Sequence, residues 1–347
     1  MNQREMVDIL SGRRRGVTAA ILRTGLLAAS WPYSAAMRLR RWAYSRGLKK
    51  SYAADVPVVC VGNITTGGTG KTPMVAWVVD KLRHMGCKPA ILTRGYKKSD
   101  AGESDEAELL KRLCGVPVVV NADRVAGARQ AVRLGAEACI MDDGFQHRRL
   151  RRGLDIVLVD ATCPFGFGHC LPRGLLREPP AALKDAGAIV ITHADLAGSE
   201  AVAKLRSRLE RLAPAASFHQ AVHKPTYLID QQGDRLPTEA LAGRKIFAFC
   251  GIGNPDGFLT MLSALHARPL AVRTFNDHVN YTPQIVESLR DEIRQCRADV
   301  LVTTQKDAVK LTGVSLGPAV WRLAVEIQIT DGEKELLEKV QEALPPK

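Results

Sequence analysis

Lys71 and Thr72 close the run Val61-Gly-Asn-Ile-Thr-Thr-Gly-Gly-Thr-Gly-Lys-Thr-Pro73. A Gly-rich loop at a helix N-terminus aims its backbone N–H groups at an anion, and the helix dipole adds to the attraction. In that setting Lys71 reaches β- and γ-phosphates while the Thr72 hydroxyl holds Mg²⁺. The residues expected to cradle nucleotide phosphates are Thr65, Thr66, Gly67, Gly68, Thr69, Gly70, Lys71 and Thr72. The strict pattern has Gly five residues before Gly70; Thr65 stands there, so Gly67 and Gly68 supply the flexibility. A bound triphosphate also needs an acid for its metal. Ala138-Cys-Ile-Met-Asp142-Asp143 sets two carboxylates directly after an apolar run, where a cation must offset their cost. The expected metal ligands are therefore Thr72 with Asp142 or Asp143, and the expected cofactors are ATP and Mg²⁺. Asp160, which ends Ile156-Val-Leu-Val159, is a second acidic candidate at the same edge.

The surrounding pattern supplies elements to hold these groups. Apolar, β-branched runs at Val56 to Val61, Pro89 to Thr93, Val116 to Val120, Ala138 to Met141, Ile156 to Val159 and Ala188 to Thr192 read as buried strands. Helical stretches at 74–82, 105–113, 124–134 and 201–212 alternate with them. Such alternation implies an α/β fold, a P-loop NTPase-like, mostly parallel sheet with helices on both faces. Ligands of such sheets gather beyond the carboxyl ends of the strands. The pattern weakens from Ala213 to Lys224, and a second, smaller α/β unit begins at Lys245-Ile-Phe-Ala-Phe-Cys250. It continues with a helix over 257–266, a strand over 270–275, a helix over 283–295 and a strand over 300–304. The expected division is an N-terminal segment (1–44), a P-loop domain (45–222) and a smaller domain (223–347).

Composition narrows the choice of partner. The 347 residues carry a formal net charge of +13, yet no nucleic-acid module and no aromatic interleaving accompany it. The eight cysteines form no C-x-x-C pair, which speaks for a reducing compartment and against a disulfide framework or zinc site. Arginines at Arg13 to Arg15 and Arg38 to Arg41 flank an apolar stretch, Val17 to Met37, which Arg23 interrupts and Pro32 is expected to break. No 18-residue uncharged run exists, so a spanning helix is not expected. The reading adopted is an interfacial helix in which Leu22, Leu26, Trp31, Leu39 and Trp42 enter lipid and arginines meet head groups. The other readings this pattern allows are a secretory signal, since Arg13 to Arg15 precede an apolar stretch with small residues, and a helix packed on the domain.

The phosphate loop and the Asp142-Asp-Gly-Phe-Gln-His147 string together resemble the tetraacyldisaccharide 4′-kinases of lipid A biosynthesis. The resemblance extends over nearly the whole chain, through Thr93-Arg-Gly-Tyr96, Ser104-Asp-Glu106, Asp123-Arg124 and Leu171-Pro-Arg-Gly-Leu-Leu-Arg-Glu-Pro179. In the second unit it takes in Phe249-Cys-Gly-Ile-Gly-Asn-Pro255, Phe275-Asn-Asp-His278 and Thr304-Gln-Lys-Asp307. It implies transfer of the γ-phosphate of ATP to the 4′-hydroxyl of a tetraacylated glucosamine disaccharide 1-phosphate, at the cytoplasmic face of the inner membrane. It also implies two α/β/α units around a cleft, a peripheral or monotopic N-terminal helix and no obligate protein partner. The family's catalytic carboxylate falls on Asp105 and its partner histidine on His278, which with Lys71 make the expected catalytic set. Three departures bear on loop geometry near Asp105: Ser104 for the usual Gly, Asn276 for the usual Pro, and a short segment from Tyr96 to Asp105. Arg124, Arg148 and Arg177 are minor candidates for phosphate contacts. The rival class is a nucleotide switch; Thr304-Gln-Lys-Asp307 approaches a guanine-recognition string, but Gln305 replaces its Asn.

Overall fold

The computed structural model describes residues 3–95, 105–277 and 279–344, with side chains from Glu5 onward. Two helices lead, α1 (Gln3–Ser11) and α2 (Val17–Ser45). Then come β1 (Val58–Asn63), α3 (Lys71–His84), β2 (Pro89–Thr93), α4 (Asp105–Cys114), β3 (Val118–Val120), α5 (Arg124–Arg133), β4 (Ala138–Asp142) and β5 (Leu154–Asp160). The chain continues with β6 (Ala188–Thr192), α6 (Ala194–Ala197), α7 (Ser199–Leu212), β7 (Ser217–Ile229) and β8 (Arg235–Leu236). It closes with β9 (Ile246–Cys250), α8 (Pro255–Ala264), β10 (Ala271–Thr274), α9 (Pro283–Cys296), β11 (Val300–Thr304), α10 (Gln305–Lys310), β12 (Ala319–Asp331) and α11 (Glu333–Glu342).

These elements form two compact units. The first comprises Met1–Tyr96, Leu110–Val222 and Ile327–Lys347; the second comprises Lys97–Leu109 and His223–Glu326. In the first unit the strand order β7-β6-β5-β1-β4-β2-β3 is parallel throughout. Period-two alternation sends Val59, Val61, Ile140 and Ile156 to α3 and α11, while Cys60, Met141, Val157 and Val159 meet α5 and α7. A strand covered on both faces is apolar at every position, which is why these runs were so readable. The register Val61↔Asp142 sets the carboxyl end of β4 beside the end of β1, from which the phosphate loop leaves. In the second unit β10, β9, β11 and β12 run parallel in that order, and β8 pairs antiparallel with β7. Phe247 and Phe249 pack on α9, and Ala248 and Cys250 on α8.

Several elements depart from the sequence expectation. Residues 213–224 lead into a continuous strand of 13 residues, β7, in which half-buried positions replace an apolar run. The second unit stops at Glu326, because β12 carries the chain back and α11 buries Leu336 and Val340 in the first unit's core. Pro32 does not break the N-terminal helix; α2 spans 29 residues with Pro32 inside. Pro32 is solvent-exposed, on the side where water can satisfy the carbonyl its missing N–H leaves unpaired. Trp31, Leu39 and Trp42 are exposed together with Val17 and Ile21. Leu22 and Leu26 are half-buried instead, on the stripe that continues to Ser30 and Tyr33. No described helix is long and apolar enough to cross a membrane.

Candidate active site

The turn after β1 is built for an anion. Gly70, in the left-handed region at φ 87°, forms the N-cap of α3, and no side chain caps that helix. The first-turn N–H groups therefore remain available, and Pro73 sits where a missing N–H costs nothing. Gly67 is the other loop position with positive φ, at 124°. Thr65 needs no glycine because it is extended and bridges Leu176, with Thr66 N–H donating to Leu175 O at 2.7 Å. That is the physical reason the loop tolerates threonine at its first position.

Buried polar contacts brace the loop. Asn63, fully buried at the end of β1, donates from Nδ2 to Thr69 Oγ1 at 2.9 Å. Thr192, at the end of β6, donates from Oγ1 to Thr69 O at 3.1 Å. Gln146 donates from Nε2 to Asn63 O at 2.7 Å, tying the turn after β4 to the same strand. Gly62 is obligatory here, since a Cβ on it would lie 2.7 Å from Phe145 Cβ. None of the long-range partners announced itself in the sequence; Thr192 is 123 residues from Thr69.

Lys71 and the acidic turn meet. Lys71 Nζ lies 3.7 Å from Asp143 Oδ1, and Arg177 Nη1 reaches Oδ1 and Oδ2 of the same carboxylate at 2.8 and 2.7 Å. Burial alone would raise the Asp143 carboxyl, but the charges of Lys71 and Arg177 outweigh it and hold the group below its usual range. Asp143 itself adopts φ 51°, a left-handed turn that aspartate tolerates. Asp142 is buried at the end of β4. Asp160, the further acidic candidate, is engaged by His193 Nδ1 at 3.1 Å and by Thr162 N–H and Oγ1. Arg177, ranked low from sequence, is thus central to this cluster. Arg148 bonds Asp185 at 2.7 Å, and Arg124 is buried with Nη1 on Asn121 O.

Helix α2 is tied to the same region. Ser30 Oγ accepts from Arg173 N–H at 3.0 Å, Tyr33 OH donates to Arg177 O at 2.9 Å, and Arg41 bonds Asp185. In the second unit, Asp105 is the half-buried first residue of α4, and its charge is felt by Lys310. His278, Ser104 and Tyr96 lie outside the described residues.

A family model for tetraacyldisaccharide-1-P 4′-kinase matches residues 22–345. The chain belongs to the tetraacyldisaccharide 4′-kinase family. A tetraacyldisaccharide 4′-kinase of Anaeromyxobacter dehalogenans (strain 2CP-C) is 40% identical over 334 residues, covering 90% of this chain and 87% of the relative. One from Halothermothrix orenii is 33% identical and covers 88% of both chains. The crystal structure of LpxK from Aquifex aeolicus, in complex with ATP, aligns with a TM-score of 0.73 at 28% identity. It covers 93% of this chain and 100% of that one. As a tetraacyldisaccharide 4′-kinase the chain is a phosphotransferase that phosphorylates a lipid A precursor. The mostly parallel sheet is that of the family.

Proposed function

We propose that catalysis rests on Lys71, Thr72 and Asp142 for the nucleotide and metal, and on Asp105 with His278 for the acceptor 4′-hydroxyl. The observation that carries the nucleotide half is the uncapped N-terminus of α3 behind left-handed Gly70, with Lys71 held 3.7 Å from Asp143. Phosphoryl transfer asks a protein mainly for positioning and charge neutralisation. The loop N–H groups and Lys71 bind the phosphates, and the Asp143–Arg177 contact keeps Lys71 from swinging into solvent. The donors suit Mg²⁺: one hydroxyl and one carboxylate leave room for phosphate oxygens and water. Asp142 is the carboxylate proposed for the metal because it is buried at the end of β4, in register with Val61 just before the phosphate loop. Mg²⁺, when bound, neutralises charge on the phosphoryl oxygens.

A sugar hydroxyl is a weak nucleophile, and general-base help from an Asp–His pair contributes ~10²–10⁴-fold. The apolar outward face of α2 supports a membrane-surface enzyme acting at the cytoplasmic face of the inner membrane, where its acylated acceptor resides. The decisive assay supplies labelled ATP with and without the tetraacyldisaccharide 1-phosphate. Label should appear in the lipid, at the 4′ position, and require Mg²⁺. Nucleotide hydrolysis that proceeds equally without acceptor would favour a switch protein. Because Asp105 and His278 act as a unit, Asp105→Ala, His278→Ala and the double variant should show similar residual rates. Independent multiplicative losses would separate their roles.

A further inference from the structure

Asp307 is fully buried, and no part of the nucleotide chemistry above uses it. It occupies the third position of the short helix α10, behind the N-cap Thr304, whose hydroxyl accepts from Asp307 N–H. In an ordinary capping box the carboxylate would turn back to the cap's own backbone N–H. Here it turns elsewhere. Oδ2 accepts from Gly251 N–H at 2.9 Å and from Thr304 Oγ1 at 2.6 Å, and Oδ1 accepts from Tyr281 OH at 3.0 Å. One carboxylate therefore joins the segments that follow β9, β10 and β11. The Tyr281 ring is fixed edge-on against Phe249 and Phe275, with centroids 6.2 and 5.5 Å away. Gly251 has no room for a side chain: its Cβ would meet Val279 Cγ1 at 2.4 Å and Asp307 Oδ1 at 3.0 Å.

Two lysines of the same helix extend the clamp. Lys306 Nζ bonds Asp277 Oδ1 at 3.0 Å, and Lys310 Nζ bonds Val279 O at 3.0 Å. These grips fall on the two residues that flank His278 in the chain.

We propose that Asp307 is a positioning residue for phosphoryl transfer: with Lys306 and Lys310 it fixes Asp277, Val279 and Tyr281, the described residues around position 278, and its contribution to the rate is exerted through His278. This rests on the reading of His278 as the partner of Asp105. A misplacement of about 1 Å at a reacting group can cost ~10²-fold in rate. Asp307→Asn keeps the shape and removes the charge that accepts three hydrogen bonds. It is expected to lower kcat at least ~10-fold with KM for ATP unchanged. In a His278→Ala background it should cost nothing further, because the loss acts through that side chain. Tyr281→Phe, which removes one bond and keeps the ring, should give a smaller fall in kcat of the same kind. Full kcat in folded Asp307→Asn beside an inactive His278→Ala would overturn the proposal and leave the histidine's role standing. An unfolded Asp307→Asn with a fully active Tyr281→Phe would also overturn it, as would multiplicative losses in the double variant. An active His278→Ala would instead remove the reading beneath it, and the proposal with it.

Discussion

At the scale of single residues, three charges organise the nucleotide end: Lys71, Asp143 and Arg177. Two cations on one carboxylate leave a net positive centre at the head of α3, which suits an incoming polyphosphate. Lys71→Ala should therefore fold normally and lose at least ~10²-fold in turnover, the scale of removing one electrostatic stabiliser. Near-normal turnover in a folded variant would refute the assignment. His147 makes a separate, thermodynamic prediction. Burial, with Arg124, Arg40 and Arg152 nearby, pushes its imidazole down from 6.5 to about 4. Between those values the unfolded chain binds a proton that the folded chain refuses, so stability falls as pH drops through the window. The melting temperature should decline from about pH 6.5 to pH 4, and less steeply in His147→Gln. Parallel profiles for the two proteins would show that other groups dominate the acid limb.

At the scale of elements, α2 separates two jobs by face. Ser30, Tyr33 and Arg41 bond the domain, while Val17, Ile21, Trp31, Leu39 and Trp42 point outward. Trp31, 71% exposed, and Trp42 are side chains that prefer the head-group level of a bilayer. Changing Trp31, Leu39 and Trp42 together to serine should sharply reduce co-sedimentation with anionic vesicles and leave ATP affinity intact. Binding by the unaltered protein should weaken with salt, since each nearby arginine adds roughly 1 kcal/mol of screened attraction. Equal vesicle binding by both proteins would place the membrane contact elsewhere. The outward face was only partly legible from sequence. Counting apolar residues could not tell Leu22 and Leu26, which lean toward the protein, from Val17 and Ile21. Only the partners of Ser30 and Tyr33, more than a hundred residues away, decide that rotation. The strands of the first unit were legible because burial on both faces makes them apolar throughout. β7 was not, because its pattern of alternating partial burial around Pro225 mimics a loop.

At the scale of the molecule, the division into units was legible only to first order. The boundary near 222 is where the chain first leaves the large unit for long, but the return at 327 carries no turn signal, since it lies inside β12. The core of the first unit depends on that return: Ile327, Ile329, Leu336 and Val340 pack with Met74, Val78 and Leu82. Losing buried aliphatic side chains costs about 2–5 kcal/mol each, against a typical total stability of ~5–15 kcal/mol. A fragment of residues 1–222 is therefore expected to lack a cooperative melt, and co-expression with 223–347 to restore one. A sharp transition in the isolated fragment would contradict this. The same layout bears on how such an enzyme can be inherited. The chain passes between units at 96/97, 109/110, 222/223 and 326/327, so a single recombination point transfers neither unit intact. Exchange of a whole unit would need several coordinated crossovers, so the two units are expected to diversify chiefly by substitution in place.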